Sequence, residues 1–369
     1  MPQMTVCPSC AEPLEPEDVF CGACGINLAQ SPATPRGGTG DFVLAAPAHL
    51  LLDEPSGPPC AQCDGRIAAD GYCDTCGAAR PNPRDHVERC LEGVAGVSDR
   101  GHRHHRNEDS FTVAATSLPD GASAVVAVVC DGVSSATRPD EASQAAADTA
   151  SESLLTALEA GTDPTRAMHD ALLDAARAVD ALADGRAPEP GTNSPACTCV
   201  SAVAAGGAVT IGWIGDSRAY WIPDDREAAE PYRLTEDDSW AARMVAAGLM
   251  EEAEAYADPR AHAITGWLGA DAGELDPHTV TFTPHVPGVI LVCTDGLWNY
   301  AEAATALADA VPADARTEPL SAARDLVQFA LAGGGHDNIT VAVLPFPPAP
   351  GRRPEAPPTP TLVDLPPTV

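Results

Sequence analysis

Lysine is absent from this 369-residue chain, and its 21 basic residues, all arginine, face 53 acids for a net charge of −32. Binding nucleic acid through its phosphates needs clustered cations, so this balance argues against a nucleic-acid partner. It argues against an anionic membrane surface for the same reason. Arginine in place of lysine, together with heavy alanine usage, reflects codon bias in a GC-rich bacterial genome and carries no functional weight. No stretch approaches 18 uninterrupted apolar residues, and the N-terminus lacks a cationic segment followed by an apolar one. A soluble, cytoplasmic protein is therefore expected.

Cysteine is plentiful, with thirteen in the chain, and eight of them fall into four Cys-x2-Cys pairs. Without a secretory pattern that spacing reads as zinc ligation and not as a disulfide framework. Residues 1–30 hold Cys7-x2-Cys10, a ten-residue spacer and Cys21-x2-Cys24-Gly25. Residues 59–82 repeat the unit as Cys60-x2-Cys63, nine residues, then Cys73-x2-Cys76-Gly77. Each unit supplies four thiolates to one tetrahedral ion, and a unit this short needs the metal in order to fold. Two structural zinc ions are expected. Residues 31–58, rich in Pro, Gly, Ala and Thr, read as a linker. Of the other cysteines, Cys130 and Cys293 end apolar runs and read as small core filler, while Cys197 and Cys199 alternate within one expected strand.

From about residue 86 to 346 the text becomes that of a globular domain. Strands are expected at 110–113, 124–130, 197–205, 208–214, 218–222, 289–293 and 339–344. Ala/Leu-rich segments of helical period cover 139–160 and 164–183, and shorter helices are expected at 239–248, 300–310 and 320–332. The acidic stretch 250–260 reads as a mobile surface segment. Gly333-Gly334-Gly335 reads as a turn, since no helix follows it as a phosphate loop would require. Residues 347–369 form a Pro-rich tail. Strands, two helices, more strands, then helices and a strand describe sheets covered by helices.

Two apolar runs stop abruptly at Asp-Gly: Val-Val-Ala-Val-Val-Cys-Asp131-Gly132 and Val-Ile-Leu-Val-Cys-Thr-Asp295-Gly296. Such runs read as strands buried on both faces, and an acid at the mouth of each is aimed out of the sheet. The expectation is that neighbouring strands present both carboxylates to one site. Asn107-Glu108-Asp109 and His336-Asp337-Asn338 add further acids. Four acidic clusters at one point repel one another unless a divalent cation lies between them. Carboxylates without Cys or His select Mg²⁺ or Mn²⁺, and two such ions about 3.5–4 Å apart activate water for an in-line phosphoryl displacement.

The ordered set Asp99-x-Gly101, Asn107-Glu108-Asp109, Asp131-Gly132, Gly215-Asp216-Ser217-Arg218, Leu234-Thr235, Thr294-Asp295-Gly296-Leu297-Trp298 and Asp337-Asn338-Ile339-Thr340 resembles the metal-dependent protein phosphatases of type 2C. The resemblance spans roughly residues 90–346. It implies an α+β fold, a four-layer αββα sandwich, here preceded by two small zinc ribbons. It also implies hydrolysis of phosphoserine and phosphothreonine by water activated between two Mg²⁺ or Mn²⁺ ions. By the same resemblance Asp131 bridges the ions and the Gly132 carbonyl joins the first. Asp295 and Asp337 hold the second, Glu108 and Asp109 meet it directly or through water, and Asp216 is the acid of a third. Asn338 orients its neighbouring ligand.

Two positions depart from the pattern. His104 stands where the family places a phosphate-gripping arginine, so Arg103, His104 and Arg106 are the candidate substrate-binding residues. Val133 stands where some members carry a histidine as general acid. These departures keep a second reading open, a catalytically weak or inactive scaffold that binds phosphoproteins. The partners implied are phosphoproteins, including substrates or autophosphorylated forms of a serine/threonine kinase, and a protein that docks on the ribbons. Residues 1–30 contain no basic residue, which argues against ribbons that bind DNA or RNA.

Overall fold

A computed structural model describes Cys60, residues 63–68, 73–76, Arg80, 82–183 and 193–347. The first expected ribbon, with Cys7, Cys10, Cys21 and Cys24, lies outside these residues, as do the linker 31–58 and the tail beyond Pro347.

The chain enters through β1 (His86–Leu91), β2 (Val94–Asp99), β3 (Ser110–Ser117) and β4 (Ser123–Cys130). Two long helices follow, α1 (Pro139–Glu159) and α2 (Pro164–Asp180). Next come β5 (Ala196–Cys197), β6 (Cys199–Ala205), β7 (Ala208–Ile214), β8 (Arg218–Pro223) and β9 (Tyr232–Arg233). Short helices α3 (Trp240–Ala246) and α4 (Glu252–Ala255) lead to β10 (Leu268–Gly269), β11 (His278–Phe282) and β12 (Gly288–Cys293). The last elements are α5 (Asp295–Trp298), α6 (Ala304–Ala310), α7 (Pro319–Gly333) and β13 (Ile339–Phe346).

Six strands form one sheet in the order β1-β2-β13-β12-β8-β9, and five form a second in the order β11-β7-β6-β4-β3. Residue alternation builds the four layers. Along β4, Val125, Ala127 and Val129 enter the core between the sheets with Val200, Ile211, Ile290 and Leu344. Ala124, Val126, Val128 and Cys130 point the other way, into the core beneath α1 and α2. Both faces are covered, so the run is apolar without alternation. Alanines at 142, 146 and 150 share the inner face of α1 and let its backbone approach the sheet closely. On the opposite side Leu326, Val327 and Ala330 of α7 and Trp298 of α5 cover β12 and β13.

Several expected elements are reshaped. The strand expected over 197–205 breaks at Thr198, whose N–H donates to the Asp131 carbonyl at 2.8 Å. It becomes β5, paired with β10, and β6, paired with β4 and β7. Within 250–260, expected as a mobile segment, α4 forms and its Ala255 packs with Ala241 and Ala261 in a small apolar cluster under Met244 and Tyr256. The helix expected at 300–310 is found as α6, and α5, directly after Thr294, precedes it as a short helix the sequence reading did not include.

Candidate metal-binding site

Asp131 follows β4 and Asp295 follows β12, but these strands are not neighbours in one sheet. β4 belongs to the five-stranded sheet and β12 to the six-stranded one. The two acids therefore meet across the inter-sheet core, where paired sheets bring strand ends opposite each other. Both following glycines are required by space. A Cβ on Gly132 would lie 2.6 Å from the Pro139 carbonyl oxygen and 2.7 Å from that of Glu108. A Cβ on Gly296 would overlap the Asn338 carbonyl oxygen. Each Asp-Gly pair is thus an acid plus the close approach that seats it.

Asp109 completes the centre. It is 3% exposed, and its Oδ2 accepts from Thr340 Oγ1 at 2.8 Å and Thr294 Oγ1 at 3.0 Å. Burial, then the charges of Asp109, Asp295, Asp337 and Asp216, push Asp131 well above the usual carboxylate range. Burial, then the charges of Asp337, Asp216 and Asp109, do the same to Asp295. Burial raises Asp109 to about 7 despite its two threonine donors, and burial with the charge of Asp237 raises Asp216 to about 7. Asp109 Oδ1 and Asp295 Oδ1 are buried with no hydrogen-bond partner. Hard, mutually repelling oxygens left without donors fit divalent Mg²⁺ or Mn²⁺.

The loop between β2 and β3 supplies the rest. Glu108 accepts from Arg106 Nε and Ser134 Oγ, both at 2.9 Å, and its N–H donates to Asn338 Oδ1 at 2.7 Å. Asn338 Nδ2 reaches the carbonyls of Arg100 and Arg106, and its backbone N–H donates to Asp337 Oδ1 at 2.8 Å. One asparagine thus holds both a loop and a neighbouring acid. Of the three candidate phosphate ligands, Arg103 is exposed on this loop. Arg106 is paired with Glu108 and, at 3.5 Å, with Asp140. His104 turns inward, 8% exposed, with Nε2 3.0 Å from Asp337 Oδ1.

Some supporting residues were not assigned from sequence. Arg218, fully buried, binds Asp237 through two bonds of 2.9 and 2.6 Å and lies 3.5 Å from the Trp298 ring centroid. The Trp298 indole N–H donates to the Asp216 carbonyl at 3.0 Å, which ties this cluster to the site. An arginine opening an otherwise apolar strand, followed by an acidic run at 236–238, was the available signal, because a buried arginine needs a buried acid. Thr294, Thr340 and Ser98 were missed as well. Ser98 Oγ and Thr340 Oγ1 are 2.7 Å apart, and Asn107 Nδ2 donates to Ser98.

The four cysteines of the second expected ribbon lie together. The Sγ atoms of Cys60, Cys63, Cys73 and Cys76 all lie within 4.8 Å of one another, with pairs at 3.6 Å (Cys60–Cys76) and 3.5 Å (Cys63–Cys73). A tetrahedral zinc with Zn–S bonds of about 2.3 Å separates its sulfurs by about 3.8 Å. Backbone N–H groups of Cys76 and Thr75 lower the Cys73 thiol to about 6, favouring the thiolate. Among the described residues this is the only set so tightly grouped.

Comparison with known proteins agrees with this architecture. The sequence model of the protein phosphatase 2C family matches residues 99–328. The serine/threonine protein phosphatase PstP of Mycobacterium tuberculosis is 31% identical over 254 residues, 68% of this chain and 44% of that protein. The serine/threonine phosphatase stp of Listeria innocua is 27% identical over 260 residues, 67% of this chain and 93% of that protein. A solved structure of the PstP catalytic domain in complex with two manganese ions is 25% identical, with a TM-score of 0.52 over 70% of this chain and 97% of that one. The chain belongs to the protein phosphatase 2C family, and it spans less than half the length of the mycobacterial relative. Among the described residues no helix is long and apolar enough to cross a membrane.

Proposed function

We propose that this chain is a Mg²⁺- or Mn²⁺-dependent protein serine/threonine phosphatase of the cytoplasm. The observation that carries the reading is the convergence of Asp109, Asp131 and Asp295 with buried oxygens lacking donors, in a chain of this family. Asp131, between Asp109 and Asp295, would bridge two ions, with the Gly132 carbonyl on the first. Asp295 and Asp337 would hold the second, supported by Glu108 and Asp109, and Asp216 would serve a third. When bound, the ions supply positive charge and a water of lowered pKa for in-line attack at phosphorus.

The protein's own groups do the rest. Asn338 fixes the loop that presents Glu108, and His104 orients Asp337. Arg103, on the same loop, would bind the phosphoryl oxygens. Val133 has no ionisable proton to give, so water would have to protonate the leaving alkoxide. Substrates would be phosphorylated proteins, including autophosphorylated kinases. Cys60, Cys63, Cys73 and Cys76 would hold one structural zinc, and Cys7, Cys10, Cys21 and Cys24 a second, in ribbons that dock a partner protein.

The test is turnover of a phosphothreonine peptide with Mn²⁺, abolished by EDTA and restored by excess Mn²⁺. The engagement of His104 with Asp337 favours a second reading, a phosphoprotein-binding scaffold. That reading predicts phosphopeptide binding by metal-loaded protein without turnover.

A further inference from the structure

The segment Asn82–His86, between the four-cysteine knuckle and β1, is stitched to the loops that carry the acids. Arg84 Nη2 donates to Ser110 Oγ at 2.8 Å, to the Asp140 carbonyl at 3.2 Å and to the Asp109 carbonyl at 3.3 Å. The Arg84 carbonyl accepts from Asn107 Nδ2 at 2.9 Å. Next along the segment, the Asp85 carbonyl accepts from the Arg100 N–H at 2.8 Å, and His86 Nδ1 lies 2.7 Å from Asp99 Oδ2. Behind these contacts is a cavity of about 380 Å³ lined by Arg84, Ser98, Asn107, Asp109, Ser110 and Asp148. Arg84 and Asp109 both line this space, and the Arg84–Asp109 hydrogen bond lies beside it.

We propose that Arg84 is a positioning residue for the metal centre, acting through the main chain of Asp109. The inference rests on the metal-dependent reading above.

The experiment is calorimetric titration of Mn²⁺ into the full chain, wild type against Arg84→Ala and Arg84→Lys, below the thermal midpoint of each. Loss of such an outer contact typically weakens metal binding 10–100-fold, so Arg84→Ala is expected to raise the Kd at least about ten-fold. Arg84→Lys, which keeps the charge but not the shape, is expected to fall between. A Kd within two-fold of wild type for Arg84→Ala, or for Arg84→Lys should the alanine variant not fold, overturns the inference. Absence of Mn²⁺ uptake by the wild type overturns the metal reading itself and this inference with it, whereas uptake that Arg84 does not influence overturns the inference alone.

Discussion

His104 Nε2 lies 3.0 Å from Asp337 Oδ1, in a ring only 8% exposed, at the position where a phosphate-binding arginine was expected. The ring faces a metal-site carboxylate and holds its orientation, as outer groups do around metal ligands. His104→Ala should therefore weaken Mn²⁺ binding about ten-fold while changing KM for a phosphopeptide little at saturating Mn²⁺. Calorimetry and steady-state kinetics separate the two effects. A raised KM at unchanged metal affinity would instead place His104 on the substrate.

Arg218 and Asp237 form a fully buried pair, 0% and 1% exposed. Removing one partner of such a pair strands a charge and costs about 3–5 kcal/mol. Arg218→Ala should lower the urea midpoint accordingly. Arg218→Met combined with Asp237→Leu should recover most of the loss, since neither charge is then left alone. Equal destabilisation in the single and double variants would show that shape, and not the pair, sets the stability here.

The acids of the site repel one another in metal-free protein, with Asp131 receiving the charges of four others. Asp131→Asn removes one of those charges without changing its volume. The metal-free variant should melt a few °C above metal-free wild type at pH 8, since about 1 kcal/mol moves the midpoint of a chain this size by about 2–4 °C. Adding Mn²⁺ should raise the wild-type midpoint and leave the variant unmoved. Calorimetric scans with and without Mn²⁺ check both statements.

Two zinc ions per chain are expected by elemental analysis of protein purified without chelator. Cys60→Ser or Cys73→Ser should leave one, because each removes a sulfur from a set whose members all lie within 4.8 Å. Two ions retained in Cys73→Ser would remove that residue from the ligand set.

The acids were legible in the sequence because each sits at an abrupt end: Asp131 and Asp295 after apolar runs, Asp337 before the last strand. Sheets covered by helices followed from two long Ala-rich helices between strand groups, and the four-layer αββα order followed from the family resemblance. What escaped notice depends on contacts distant in sequence. The position of Asp131 and Asp295 on opposite sheets is set by pairing, since β12 joins β8 and β13 while β4 joins β3 and β6. The inward turn of His104 and the three bonds of Arg84 are set by partners up to 233 residues away, beyond the reach of periodicity. β1 and β11 are short, part-exposed edge strands whose patterns carry little signal.

The most direct test of the account is turnover of a phosphothreonine peptide by the full chain in Mn²⁺, wild type beside Asp131→Asn at matched fold and zinc content. The account predicts Mn²⁺-dependent release of phosphate by the wild type, none in EDTA, and a loss of at least about a thousand-fold in the variant, as expected when the group that holds both ions is removed. Undiminished turnover by Asp131→Asn, or turnover that persists in EDTA, would contradict it.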